Sequence, residues 1–292
     1  MTLSGMVASL FRYPVKSMQG ERVQFLDIQV GGANGDRAFA LLDVDSGQVA
    51  SAHHPDKWAA LLHCQARWED DHVLVTLPDG DTLGIGAALE RRLSTLFGRT
   101  VMFIEQAPDG AQYEFQLADV PGTAPAPFVD YTLGLAGVST GRVGRLPIGM
   151  QAPQGSLVDV APIHIITTSS LNALANAGGD ADLRRFRPNV VIDNGITHEY
   201  IEHSAAGQLL DFGSATFEIT MPTMRCLMTT LPQAHLDRSR ETLATLARTN
   251  RLEVGPGHWA CLGLYATVTQ MGRIQVGDEA LSRSSRVPPK DS

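Results

Sequence analysis

The chain has 292 residues, of which 43% are hydrophobic and 18% charged, and a formal net charge of −8. That composition can bury a sizeable core, while the acidic balance argues against a nucleic-acid protein, whose basic footprint would show at this level, and leaves room for a local basic pocket for one small anionic ligand. Its three cysteines, Cys64, Cys226 and Cys261, are far apart and form no CxxC, which excludes a disulfide framework and a four-cysteine zinc or iron–sulfur site.

The N-terminus, MTLSGMVASLFRYPVKS, lacks a basic region followed by a long apolar core, so no secretory signal is read. No apolar run approaches the roughly 18 residues that span a bilayer. The expectation is a cytoplasmic protein with no membrane span. GMVASLFRY and RVQFLDIQV read as strands, and RAFALLDVDSGQVAS as a hairpin around Asp45, Ser46 and Gly47. HVLVTLPDGDTLGIG is a second hairpin, turning at Pro78, Asp79 and Gly80. ALERRLSTLFG carries Leu89, Leu93, Leu96 and Phe97 at helical spacing and stops at Gly98. TVMFIEQ returns to strand. Residues 107–157, rich in Pro, Gly and Ala, read as a long irregular connection.

In the second half, VDVAPIHIITTSS predicts a strand, LNALANAGG a short helix closed by Gly178 and Gly179, and RPNVVID another strand. QLLDFGSATFEITM predicts a hairpin with Ala215, Phe217, Ile219 and Met221 on one face. RETLATLAR predicts a helix, and LYATVTQMGRIQVGDEAL a closing hairpin at Gly272. The fold class is therefore α+β, mainly β: an antiparallel β-barrel core over 158–282, a smaller β-rich domain over 1–106, the connection between them, and a tail at 283–292.

Several segments place cations or hydroxyls at turns. YPVKS puts Lys16 and Ser17 at a strand end, and GDR puts Arg37 after a glycine. The hydroxyls of TTSSLNAL serve either as helix caps or as donors to an anion at a helix N-terminus. RRFRPNVVID adds Arg184, Arg185 and Arg187; Pro188 biases Arg187 toward extended backbone, from which it would point forward as a ligand. A lone arginine of this kind is otherwise a solvated surface charge. Together these four segments suit a phosphate-bearing ligand. In MPTMRCLMTT, Cys226 follows Arg225, and a neighbouring cation favours a thiolate over a bland core thiol. HEYIEH is declined as a zinc motif, because His198 and His203 are five apart and diverge by roughly 140° on a helix. HHPDKW is read as a polar loop, since His53 and His54 on a strand would point opposite ways. No GxGxxG, GxSxG or phosphate-loop lysine motif occurs.

YPVKS, GDR, HIITTSSLNAL, RFRPNVVID, RCLMTT and GRIQVGD, in this order, resemble MOSC-domain proteins with an N-terminal MOSC β-barrel domain. That family includes the mitochondrial amidoxime-reducing component and its bacterial relatives, and the resemblance runs from about residue 4 to 281. It implies a molybdenum cofactor, a pterin dithiolene with a phosphate, whose metal Cys226 ligates as the catalytic thiolate. It also implies cofactor contacts from Lys16, Ser17, Arg37, Thr168, Ser169, Arg187, Asn189, Arg225 and Tyr265. A soft thiolate is apt for a metal already bound to dithiolene sulfur. Met224 stands where the amidoxime-reducing members have serine, and Leu262-Gly263 replaces their phenylalanine-glycine. The implied activity is reduction of N-hydroxylated compounds with electrons from a separate ferredoxin- or cytochrome-type protein and its reductase. The alternatives are a persulfide carrier on Cys226 and a non-catalytic cofactor carrier.

Overall fold

The computed structural model describes residues 3–130, 143–197, 199–201, 204–255 and 257–284. Seven strands make its main body: β1 (Ser4–Arg12), β2 (Ile163–Thr167), β3 (Val190–Asp193), β4 (Gln208–Phe212), β5 (Ala215–Met224), β6 (Gly257–Gln270) and β7 (Glu279–Ser284). They pair in the order β2-β3-β1-β7-β4-β5-β6, and β6 pairs back onto β2, so the sheet closes into a barrel with no free edge. The barrel is antiparallel except for β2 and β3, which run parallel with Ile165 opposite Val190. The helices Thr168–Asn176 and Leu183–Phe186 lie between those two strands and make the crossover a parallel pair requires.

The first and the last of the described strands both belong to this ring. Inward residues from all seven strands, among them Val7, Ile163, Val190, Leu210, Phe217, Leu264 and Ala280, fill the interior. Each such large apolar side chain contributes roughly 1.5–3 kcal/mol by leaving water. The alternation in β5 does not run through to its end. Ile219 faces Ala266 but Met221 faces Tyr265, a register shift that leaves Ala215, Phe217 and Ile219 in the core and takes Met221 out of it.

The expected hairpin at 72–84 is present, as His72–Thr76 against Thr82–Gly84, and the helix Ala87–Phe97 ends at Gly98 in the left-handed region. They cover a second core built around Val15, Met18, Leu41, Trp58, Leu61 and Leu89. Two expectations are corrected. The segment 107–157 is not wholly irregular: Gln112–Gln116 pairs with Val143–Pro147, burying Tyr113 and Phe115. Nor is there a hairpin at Gly272. Gly272–Gln275 pairs with Phe25–Gln29, and Ile274 packs into the barrel core opposite Leu26. Gly272 lies against the main chain of Ser214, where a Cβ would come within 2.5 Å.

Candidate functional site

One end of the barrel meets the N-terminal core at a polar cavity of about 80 Å³. It is lined by Lys16, Ser17, Arg37, His53, Asp159, His164, Arg187, Asn189, Arg225, Cys226 and Tyr265, among others. Seven of the nine cofactor contacts expected from sequence therefore converge there with Cys226. Thr168 and Ser169 do not line it. The helix Thr168–Asn176 starts earlier than expected, with Thr167 as its cap: the Thr167 oxygen accepts from the Ser170 N–H at 3.3 Å. The Thr168 hydroxyl donates to Asp193 at 3.0 Å, and Ser169, fully buried, accepts from Asn194 at 3.0 Å. This helix end is occupied by the protein's own polar groups.

Four basic side chains line the cavity, Lys16, Arg37, Arg187 and Arg225, against one carboxylate, Asp159. Lys16 is buried and bonds Asp159 and the carbonyl of Leu157, and its burial pulls its pKa below the ordinary lysine value. Arg37 pairs with Asp36 at 2.5 Å. The guanidiniums of Arg37 and Arg187 both stand over the Tyr13 ring, at 4.6 and 4.4 Å. Arg187 donates to the carbonyl of Met18 through Nη1, but its Nη2 is buried with no hydrogen-bond partner. Burial, and then the neighbouring charge of Arg37, depress its pKa to about 10. A buried charged donor left unpaired costs on the order of 1–3 kcal/mol or more. An anionic group in the cavity would satisfy it.

The backbone here is strained as well. Ser17, Arg37 and Arg187 have φ of 66°, 45° and 55°, three of the five non-glycine residues in this region among those described. Each costs roughly 1–3 kcal/mol. Arg187 thus departs from the extended geometry expected before Pro188: it is the left-handed cap of the helix Leu183–Phe186, its N–H bonded to the carbonyl of Leu183 at 2.9 Å. The helix end outweighs the proline preference. Two of the other contacts are braces. The Ser17 hydroxyl accepts from the Ala52 N–H at 3.0 Å, and the Asn189 carboxamide ties His164 to Phe11.

Cys226 sits at the end of β5, followed by a 3-10 turn, Leu227–Thr230. The cation that acts on it is not chiefly Arg225. That guanidinium turns away, donating to the carbonyls of Leu262 and Phe186 and to Nε2 of His164 at 2.5 Å. Burial and the Arg225 charge hold His164 well below its ordinary pKa, so it stays neutral, with its Nδ1 proton donated to the carbonyl of Arg187 at 3.4 Å. The partner of Cys226 is His53, whose Nδ1 lies 3.4 Å from Sγ, while its Nε2 lies 3.4 Å from Asp159. Burial alone would push the Cys226 thiol up; the charge and hydrogen bond of His53, then the Met228 N–H and last the Arg225 charge, together outweigh it and hold the thiol below its ordinary value. Burial would lower His53, but the charges of Cys226 and Asp159 raise it to about 10.

The polar-loop reading of HHPDKW missed this residue. The two histidines lie in the turn that leads into the helix Pro55–Trp58, and they diverge: His53 faces Cys226, whereas His54 lies 3.0 Å from Glu114. Asp159 carried no motif, and His164, although it opens HIITTSSLNAL, was given no role there. His198 and His203 of HEYIEH lie outside the described residues. Among the described residues no cluster of three histidines, cysteines or carboxylates could hold a metal by itself. Cys64 and Cys261 are buried core thiols, and burial raises Cys64 to about 12.

The residues present suit a cofactor that brings its own metal ligands and a phosphate: one activated thiol, an excess of cations, and an unpaired guanidinium nitrogen. Residues 153–280 match the MOSC domain, and residues 4–111 match the MOSC N-terminal beta barrel domain. Among curated proteins, a molybdenum cofactor sulfurase of Drosophila grimshawi is 34% identical over 81% of this chain and 29% of its own length. One of Drosophila mojavensis is 33% identical over 44% of this chain and 16% of its own. The chain thus spans less than a third of these relatives. Among solved structures, the YUAD protein from Bacillus subtilis covers 97% of this chain and 98% of its own at 13% identity, with a TM-score of 0.46.

Proposed function

The chain belongs to the MOSC-domain family and carries the N-terminal β-barrel domain as well, and from that premise we propose that it is a molybdenum-cofactor oxidoreductase. It removes oxygen from N-hydroxylated compounds with electrons from a separate protein. The observation that carries this reading is the buried, unpartnered Nη2 of Arg187 in a four-cation cavity that also holds Cys226. A thiol that only carried sulfur would need activation but no anion cradle.

In this reading Arg187, Arg37 and Lys16 would hold the cofactor's anionic groups, and Cys226 would ligate its metal. When bound, the cofactor supplies the two-electron redox centre and the acceptor for substrate oxygen. The protein's own groups do the positioning. The side chain of Arg225, braced by neutral His164 and by the carbonyls of Leu262 and Phe186, fixes the main chain just before the thiol. The Thr229 hydroxyl donates to the Cys226 carbonyl at 3.0 Å and holds the turn after it. Reduction of R–NHOH to R–NH₂ and water consumes two electrons and two protons. In this reading the electrons come from a separate ferredoxin- or cytochrome-type carrier fed by a reductase.

The second reading is sulfur handling, favoured by the named activity of the sulfurase relatives and by the Cys226–His53 pair. Purified protein assayed for molybdenum, pterin fluorescence and reduction of an amidoxime by a chemical reductant separates the two. Metal, pterin and turnover are expected, with no turnover on NADH alone. Absence of metal and pterin, with sulfane sulfur labelling on Cys226, would transfer the assignment to sulfur transfer.

A further inference from the structure

Two of the cavity's guanidiniums share one support. Arg37 comes from the N-terminal part and Arg187 from the crossover between β2 and β3, yet both stand over the ring of Tyr13, at 4.6 and 4.4 Å. Tyr13 is 4% exposed and does not line the cavity. It lies behind the two arginines and borders an outer groove with Phe11, Gln19 and Gln65. Its main chain is tied to the same group. The Tyr13 N–H donates to Asp36 Oδ1 at 2.7 Å, the other Asp36 oxygen pairs with Arg37, and the Arg37 N–H donates to the Tyr13 carbonyl at 2.7 Å. Tyr13, Asp36 and Arg37 thus close a loop that fixes the ring against the Arg37 guanidinium. The Tyr13 hydroxyl makes no hydrogen bond to a described residue, so it is the ring that the arginines use. Charge opposes the arrangement: the repulsion from Arg37 is second only to burial in lowering the pKa of Arg187. The negative face of an aromatic ring attracts each cation, most strongly where water is excluded.

We propose that Tyr13 is a positioning residue whose ring gathers Arg37 and Arg187 into a preformed clamp for one phosphate-type dianion. The inference rests on the cofactor reading above only for which molecule brings that anion. An anion meeting an unsupported pair would first have to gather two mobile, mutually repelling side chains, and ordering them lowers affinity. The ring does that ordering on folding. The left-handed backbone of both arginines, φ 45° and 55°, agrees with this, because such strain persists where the surroundings over-determine a conformation. The clamp is also left open on one side, since Arg187 Nη2 is buried with no partner. Two adjacent charges favour a dianion over a monoanion.

The test uses the metal-free full chain and needs no turnover. Inorganic phosphate and nitrate are titrated calorimetrically at about pH 8, where phosphate is mainly the dianion. Phosphate is expected to bind at least about tenfold more tightly than nitrate. Tyr13→Phe keeps the ring and should stay within about threefold of wild type. Pentafluorophenylalanine placed at position 13 keeps the shape but reverses the sign of the ring face, and should weaken phosphate binding about tenfold or more. A ring that only filled space would tolerate that change; an unchanged circular dichroism spectrum excludes misfolding. The Nε–H resonances of Arg37 and Arg187 give a second readout. The ring current should shift both upfield in wild type and Tyr13→Phe, and Tyr13→Leu should return them to ordinary positions. Equal phosphate binding by the phenylalanine and pentafluorophenylalanine chains, phosphate no tighter than nitrate, or unshifted resonances in wild type overturns the proposal. The metal and pterin content of the wild-type chain as purified separates this from the reading it rests on. Ring-independent phosphate binding by a chain that carries both overturns the clamp and leaves the cofactor reading standing. Ring-dependent binding by a chain that carries neither supports the clamp and removes that reading.

Discussion

Cys226 shows how a residue's chemistry depends on its neighbours in space. Its sequence neighbour Arg225 is spent on two carbonyls and His164, and His53, 173 residues away, supplies the main positive charge. Cys226→Ser is expected to abolish turnover and molybdenum retention, with the circular dichroism spectrum unchanged. Cys64→Ser should retain the metal. Arg187→Ala removes the unpaired donor, and loss of a charge-assisted contact worth about 1.5–3 kcal/mol predicts at least tenfold weaker cofactor occupancy, read by metal content per chain. His53→Gln should raise the pH at which Cys226 of the metal-free protein becomes alkylated, since the charge that holds the thiol down is gone. The pair also sets a pH dependence. The folded-state pKa of His53, about 10, exceeds its ordinary 6.5. Its contribution to stability is therefore complete below about pH 6.5 and is lost as pH rises through about 10. Denaturant midpoints of the metal-free protein should fall over that range in wild type and less in His53→Gln; parallel curves would refute the ion pair.

Among the elements, the turn after β5 is held from outside itself. Arg185, almost fully buried, donates to the carbonyls of Thr229, Leu231 and Asp237 and pairs with Asp180 at 2.6 Å. A lysine has the charge but not the planar fork that reaches several acceptors. Arg185→Lys is expected to cost several degrees of melting temperature and to release the cofactor faster, measured by metal loss to a chelator. β6 carries a comparable constraint. Gly263 has φ +84°, and a Cβ there would lie 2.6 Å from both His164 Nε2 and the Ile165 carbonyl. Gly263→Ala should destabilise by more than about 1 kcal/mol and disturb the His164 brace on Arg225. The leucine-glycine pair at 262–263 therefore keeps the glycine for close approach, while the Leu262 side chain joins a core cluster beside the site.

At the scale of the whole molecule, the barrel and the N-terminal part are stitched together around the cavity. Arg187 reaches Met18, Lys16 reaches Asp159, and Gln19 donates to Gln233 at 2.7 Å. More directly, β1 fills the gap between β3 and β7. A fragment beginning at residue 153 would leave two strands with unpaired edges and an open core. Expressed alone, it is expected to be aggregated or to bind a hydrophobic dye, and co-expression with residues 1–147 should restore soluble barrel. A monodisperse, cooperatively melting fragment would show that β1 is dispensable. No described helix is long and apolar enough to cross a membrane.

Local pattern was enough for what depends on neighbours in the chain. Strand alternation, the turn at 78–80, the glycine stop at Gly98 and the helix Arg240–Thr249 are all set within a few residues, and each appears in the fold. The ordered motifs contain Cys226 and the cavity's cations. Tertiary structure decided the rest, because the competing energies are non-local. The hydroxyls at 168 and 169 became helix-end bonds to β3 residues and their neighbour instead of ligand donors, Arg187 took a strained cap over its proline preference, and Gly272–Gln275 left the hairpin to pair 246 residues upstream. His53 and Asp159 bear no motif because a charge becomes expensive, and hence influential, only when burial removes its water. Which charges share one buried space is set by barrel closure.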